Sequence, residues 1–277
     1  MTTMSEPTLA SPSNPRIRAA VRLRDRRERD ATGLTLVDGA RELRRALDAR
    51  VDVVEAFVCE PLLAGEDARA VLDALRRRDV TVTTTTELAF AKLAFGDRSE
   101  GLVAVVRAPS LALADLVVPA EPLIVVIEGV EKPGNVGAVL RSADGAGVDA
   151  VIAASPRTDL ANPNVIRASA GTIFSVPMAA ASTDDVRRWL LDRGIRIVAA
   201  RVDGALEYSG ADLTGAVAIV LGSEAEGLTG AWAGADAVTI RLPMLGIADS
   251  LNVSVSAAIL AYEARRQRDG QRPTEAD

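Results

Sequence analysis

The chain alternates short apolar runs with segments in which apolar residues recur every three or four positions. Leu123–Ile127 (LIVVI) and Val217–Leu221 (VAIVL) are unbroken apolar runs, the pattern of strands covered on both faces of a parallel sheet. Ala150–Ala153, Ile195–Ala200 and Ala237–Leu242 read as further strands, and helices are expected over Asn135–Gly147, Asp184–Arg193 and Ser250–Arg266. Strand–helix alternation of this kind predicts an α/β fold with a parallel sheet and helices on both faces. The N-terminal part repeats the alternation on a smaller scale. A helix is expected from Pro15 to Arg29 with Asn14 as its cap. Strand Leu34–Val37, helix Ala40–Ala49, strand Val53–Val58, helix Asp67–Arg77, strand Val80–Thr83, helix Glu87–Leu93 and strand Leu102–Val106 follow. Residues 1–14 read as a disordered polar leader, 15–108 as a small α/β domain, and 109–121, with its prolines, as a linker. The larger domain is expected over 122–267 and a flexible polar tail over 268–277.

Composition narrows the function. The chain has 277 residues, 48% hydrophobic and only 3% aromatic. No apolar run approaches the roughly 20 residues of a spanning helix, so no membrane role is expected. The start of the chain lacks a basic segment followed by an apolar one, and reads as no signal peptide. Cys59 is the only cysteine, which excludes an internal disulfide and fits a reducing cytoplasm. There is no histidine. A Ser-His-Asp triad, a Cys-His pair and a histidine-ligated zinc site are therefore impossible, and no metal is expected. The net charge of −6 is an average over an uneven chain. Arg16, Arg18, Arg22, Arg24, Arg26, Arg27 and Arg29 crowd one segment, and Arg41, Arg44, Arg45 and Arg50 follow. That clustering marks a candidate phosphate-binding surface, with Arg16, Arg22, Arg26 and Arg41 as RNA-contact candidates; a solvated helix face is the plainer alternative.

Ligands of an open parallel sheet collect at the loops leaving the carboxyl ends of its strands, and three such loops stand out. The first, Glu128 to Gly137, contains Gly129, Pro133, Gly134 and Gly137 and leads into a helix carrying Arg141. An Arg near such a mouth can hold a phosphate bidentately. No G-x-G-x-x-G dinucleotide fingerprint follows the strand, and Gly145-Ala-Gly147 reads as the helix C-cap. The second, Leu221-Gly-Ser-Glu-Ala-Glu-Gly-Leu228, follows a buried strand and places Glu224 at the sheet edge, where partial burial could tune its pKa. The third runs from Ile240 to Ser256, and Ser250, Asn252, Ser254 and Ser256 put more polar groups at one helix start than capping needs.

Taken together, N-x-G-x-x-x-R-S (Asn135, Gly137, Arg141, Ser142), L-G-S-E-x-x-G-L (Leu221–Leu228) and L-P-M-x-G-x-x-x-S-L-N-V-S-V (Leu242–Val255) resemble the SpoU (TrmH-type) RNA ribose 2′-O-methyltransferases of the SPOUT superfamily. Arg167–Phe174 looks like the family's stretch between its first two motifs. Val37–Leu43 and Ser99–Ala104 are similar, more loosely, to the L30e-like substrate-binding domain of the ribosomal-RNA members. The resemblance implies a C-terminal domain closed by a deep trefoil knot, although knots are otherwise essentially absent from proteins. It also implies a homodimer and S-adenosyl-L-methionine as cofactor. Cofactor contacts would fall on Leu221, Gly222, Ile240, Leu242, Met244 and Leu251. Arg141 would grip a phosphate beside the target ribose, with Asn135, Glu224, Ser250 and Asn252 orienting the ribose and Arg141. The family proposal makes Arg141, or that phosphate, the proton acceptor, although a guanidinium, which gives up its proton only far above neutral pH, is in general a poor base. Two positions depart from the family pattern: Ala225-Glu226 adds negative charge near RNA, and Lys132-Pro-Gly134 replaces a commoner Asn-Pro-His turn. The resemblance implies methylation of ribosomal RNA, 23S in particular. A transfer-RNA methyltransferase and a catalytically silent RNA-binding assembly protein remain the alternatives.

Overall fold

The computed structural model describes residues 8–63, 65–95 and 100–271. In chain order the elements are α1 (Pro15–Arg22), α2 (Arg26–Thr32), β1 (Leu34–Asp38), α3 (Ala40–Asp48), β2 (Val53–Val58), α4 (Gly65–Arg77), β3 (Val82–Thr84), α5 (Glu87–Leu93) and β4 (Leu102–Arg107). They continue with β5 (Leu123–Glu128), α6 (Pro133–Ala146), β6 (Ala150–Ala154), α7 (Pro163–Ala168), β7 (Met178–Ala181), α8 (Thr183–Asp192) and β8 (Arg196–Ala200). The last are β9 (Leu206–Glu207), β10 (Val217–Leu221), β11 (Ala237–Arg241) and α9 (Val253–Gln271). The chain divides into two compact units. One comprises residues up to Pro109 together with Asp159–Ser175; the other comprises Ser110–Thr158 and Val176 onwards.

The first unit is built on a four-stranded mixed sheet, β1-β4-β2-β3. Its core gathers Ile17, Leu36, Phe57, Phe90, Leu93 and Val103. The helix expected over Pro15–Arg29 is two helices. Leu23 is buried, and the Asp25 side chain accepts from the Arg27 amide to cap a fresh start. Asn14 caps α1 as expected. Residues 1–7 of the expected leader lie outside the described residues. Leu9, also in that leader, is not free: it bridges Thr85, and its amide donates to the Thr84 carbonyl at 2.8 Å. Several of the clustered arginines hold this unit together. Arg24 donates to the carbonyls of Lys92, Leu93 and Ala94 at the end of α5. Arg29 is 4% exposed and donates to Asp159 and to the Leu23 carbonyl. Arg45 donates to the Ala170 carbonyl and Arg167 to the Phe95 carbonyl at 2.6 Å and Asp38 at 3.4 Å. Burial raises the Asp38 carboxyl to about 6, against the Phe95 amide and Arg167, which favour its charged form. Ser99, in the Ser99–Ala104 stretch of the looser resemblance, lies outside the described residues.

The second unit is a seven-stranded sheet, β7-β6-β5-β10-β8-β11-β9, with every pairing parallel. Ile124, Val126, Ile152, Ala218 and Val220 alternate onto one face, against Val186, Trp189 and Leu190 of α8 and against Trp232. Val125, Ile127 and Ile219 are left for the opposite face, where α9 lies on β5 and β10 and packs along α6. Gly147, left-handed at φ 67°, caps α6 as expected. Two strands escape the sequence pattern: β7 is Met178-Ala-Ala-Ala181, without β-branched residues, and β9 has only two residues. Residues 268–271 of the expected tail are helical. α9 runs to Gln271; Gln267 donates to the Ala211 carbonyl and Arg268 to the carbonyls of Glu121 and Pro122. Residues 272–277 lie outside the described residues. Among the described residues no helix is long and apolar enough to cross a membrane, and no group of His, Cys, Asp and Glu could hold a metal ion.

Candidate active site

The three singled-out loops leave the carboxyl ends of β5, β10 and β11 and meet. The second is the tightest. Ser223 bridges Gly227, the Gly227 amide donates to the Ser223 carbonyl at 3.0 Å, and the Glu226 amide donates to the Ser223 hydroxyl at 3.2 Å. A Cβ on Gly222 would stand 2.1 Å from the Gly227 carbonyl carbon, so only glycine lets the turn fold back on itself. The base of the first loop fastens to the far end of this turn. Glu128 is 4% exposed, and its carboxylate accepts from the Thr229 amide at 2.8 Å, the Thr229 hydroxyl at 2.9 Å and the Thr183 hydroxyl at 2.8 Å. Sequence reasoning missed Glu128, since only its threonine partners distinguish it from the solvated acids nearby.

One polar network ties all three loops. Asn252 is the residue before α9, and the helix starts three residues later than the expected Ser250. The Asn252 side-chain oxygen accepts from the Ser254 amide and hydroxyl, a cap. Its Nδ2 donates instead to Glu224 and, at 3.3 Å, to Asn135. Lys132 Nζ sits 2.9 Å from Glu224. That ammonium, more than burial, sets the acidity of Glu224: its hydrogen bond holds the carboxyl below the usual range. Glu224 is therefore an ionised acceptor at neutral pH.

Beside this network lies an open pocket of about 670 Å³, the size of a small-molecule site. Leu221, Gly222, Leu242, Met244 and Leu251 line it, as do Glu224 and Ser250. Ile240 does not. It is fully buried in β11, and its carbonyl accepts from the Arg201 amide. The charges around the pocket are mostly paired, Lys132 with Glu224 and Arg157 with Glu226. Asp203, Glu224, Glu226 and Asp249 face Arg201, paired to Asp203, and Arg241, which donates to the Gly204 and Ala205 carbonyls. Arg141 is not in the lining. It lies on the exposed side of α6, six residues and roughly 9 Å of helix beyond Asn135. Among the described residues its guanidinium has no hydrogen-bond or ion-pair partner.

Residues 122–262, which contain all three loops, match the SpoU rRNA Methylase family, and residues 14–104 match the MRM3-like substrate binding domain. The chain belongs to the SpoU rRNA methylase family. A Vibrio vulnificus relative, "23S rRNA (guanosine-2′-O-)-methyltransferase RlmB", is 32% identical over 83% of this chain and 96% of its own length. A Streptomyces viridochromogenes relative, "23S rRNA (uridine(2479)-2′-O)-methyltransferase", is 31% identical over 89% of this chain and 87% of its own. The crystal structure of an AdoMet-bound rRNA methyltransferase from Sinorhizobium meliloti superposes with a TM-score of 0.84 at 27% identity, covering 94% of this chain and 97% of that one.

Within this SpoU member the four arginines expected to contact RNA all carry acidic partners. Arg16 pairs with Glu55 at 2.6 Å, Arg22 with Glu28 at 3.8 Å, Arg26 with Asp30 at 3.5 Å and Arg41 with Glu42 at 2.9 Å. Arg18 and Arg27 are exposed and have no partner among the described residues. Spacing along the sequence could not separate these from the buried and capping arginines, because every one of them is the same residue type in the same short segment.

Proposed function

We propose that this chain transfers a methyl group to a ribose 2′-hydroxyl of 23S ribosomal RNA, in the cytoplasm, with S-adenosylmethionine held in the three-loop pocket. The observation that carries the reading is the Glu224–Asn252–Asn135 network beside that pocket, which joins the family's three motifs into one site. The pocket suits the cofactor: Leu221, Leu242, Met244 and Leu251 offer apolar walls, and the lining carboxylate of Asp249, without an ion-pair partner among the described residues, favours a cationic sulfonium. No phosphate cradle is needed, in keeping with the missing dinucleotide fingerprint. When bound, the cofactor supplies an electrophilic methyl carbon. The protein's part is placement, which can supply roughly 7–11 kcal/mol of a barrier in well-oriented systems.

Arg141 anchors the RNA. Its guanidinium, without a partner among the described residues, stands on an exposed helix face, which suits a phosphate beside the target ribose. Glu224, ionised and held by Lys132 and Asn252, orients that ribose together with Asn135 and Ser250. In the first unit, Arg18 and Arg27 join Arg16, Arg22, Arg26 and Arg41 as the RNA-gripping surface, with Arg22 and Arg26 exchanging the exposed carboxylates of Glu28 and Asp30 for phosphates at little cost. The match of 14–104 to a substrate-binding domain and the ribosomal-RNA relatives spanning most of the chain favour ribosomal over transfer RNA. The trefoil knot belongs to the same proposal, supported by the return of the third loop onto the first through Asn252. So does a homodimer, supported by Leu245 and Ile247, fully exposed on the third loop, and by exposed Val255 and Tyr262 on α9. Light scattering that gives the mass of a single chain would remove the dimer.

The test separates the two halves of the site. Leu251→Ala is expected to weaken cofactor binding by calorimetry. Arg141→Ala is expected to leave that affinity within twofold and to abolish methylation of 23S RNA. Full activity in Arg141→Ala removes Arg141 from the reaction.

A further inference from the structure

Glu226, the acid that departs from the family pattern, is matched by a cation that the motifs do not contain. Arg157 follows β6, and its backbone is fixed to the first loop, where its amide donates to the Val130 carbonyl at 3.0 Å. Its side chain reaches across to the second loop. Nη2 donates to Glu226 Oε2 at 2.6 Å, and Nη1 to Glu226 Oε1 at 3.3 Å and to Glu131 Oε1 at 2.8 Å. The fork on Glu226 is thus two-pronged, the geometry in which a guanidinium fixes orientation as well as charge. Glu226 and Gly227 are pocket lining, and Gly227 has the left-handed φ of 67° with which the turn closes.

We propose that Arg157 is a positioning residue, a latch that holds the 223–227 wall of the cofactor pocket against the first loop. The proposal rests on the pocket reading above. Without Arg157, Glu131 and Glu226 are two unneutralised carboxylates gathered around one missing guanidinium. They repel each other and push the wall outward. The two acids and Arg157 are about half exposed, so the latch is screened by salt. That gives it a signature which general loss of structure lacks.

The full-length protein is titrated calorimetrically with S-adenosylmethionine at about 0.05 M and about 0.5 M salt. Arg157→Ala, Glu226→Ala, their double variant, Arg157→Lys and Leu251→Ala are compared with the parent. Arg157→Ala is expected to raise Kd about fivefold at low salt, equivalent to ~1 kcal/mol, and much less at high salt, with Tm little changed. The double variant should bind no worse than Arg157→Ala, and Arg157→Lys should recover part of the affinity. The latch is overturned if Arg157→Ala binds within twofold of the parent while Leu251→Ala does not. It is equally overturned if the two single losses add, or if the loss is the same at both salts and tracks a fall in Tm. If Leu251→Ala also leaves Kd unchanged, the pocket reading fails, and the latch fails with it.

Discussion

Gly222→Ala puts the largest strain on the account with the smallest chemical change. The new methyl would stand 2.1 Å from the Gly227 carbonyl carbon and 2.3 Å from both its oxygen and the Leu228 amide nitrogen. Carbon contacts settle at ~3.5–4.0 Å, so these atoms must separate by more than about 1 Å. All three are backbone, and no side chain can swing away to absorb the move. Gly222 and the displaced Gly227 both line the pocket. Overpacking of this kind costs ~1–3 kcal/mol. If the turn relieves the clash by opening, that cost falls on the binding-competent conformation, and Kd for S-adenosylmethionine rises by roughly 5- to 150-fold. Calorimetric titration reads Kd, and a thermal scan checks that the fold persists. Gly230→Ala is the control, since a methyl there meets nothing within 4 Å, and it should bind within twofold of the parent. A folded Gly222→Ala protein with parental affinity would refute the reasoning.

Asn252→Ala removes a helix cap and the tie to Glu224 and Asn135 together; Tm should fall by the equivalent of ~1 kcal/mol, while kcat falls more than the cap alone explains. Equal activity in that variant would show the network to be idle. Asp38 gives a pH signature. Its folded-state value of about 6 exceeds the ordinary 3.8, so between those values the folded chain binds more protons than the unfolded one and stability falls as pH rises, by ~3 kcal/mol across the window. Thermal scans from pH 4 to 8 should show this decline in the parent and its absence in Asp38→Asn; parallel curves would contradict it.

Much of this architecture is legible in the sequence because burial on both faces writes itself as unbroken apolar runs, as in β5 and β10. The three loops are legible because turns that fold back on themselves require particular residues, Gly222 above all. What the sequence hides is partnership. Arg29, Arg45 and Arg167 look like solvated charges until their carbonyl and carboxylate partners are seen, and a long arginine-rich helix proves to be two, broken at buried Leu23. β7 hides because Ala-Ala-Ala has no strand signature and takes its conformation from β6 beside it. Ile240 sits in the right motif but faces the core, one residue of strand register away from the pocket. Arg157 lies outside the three motifs, Lys132 reads only as a departure from the first, and only the fold brings them to Glu226 and Glu224.

The central claim is that this site methylates a ribose oxygen. The direct measurement is transfer of a labelled methyl group from S-adenosylmethionine to 23S ribosomal RNA by the purified protein, followed by alkaline digestion and nucleoside mass spectrometry. The account predicts label in a dinucleotide that resists alkali, because a methylated 2′-oxygen cannot attack the neighbouring phosphate, and no label when Arg141 is replaced by Ala. Label released in alkali-sensitive mononucleotides carrying a methylated base would contradict it.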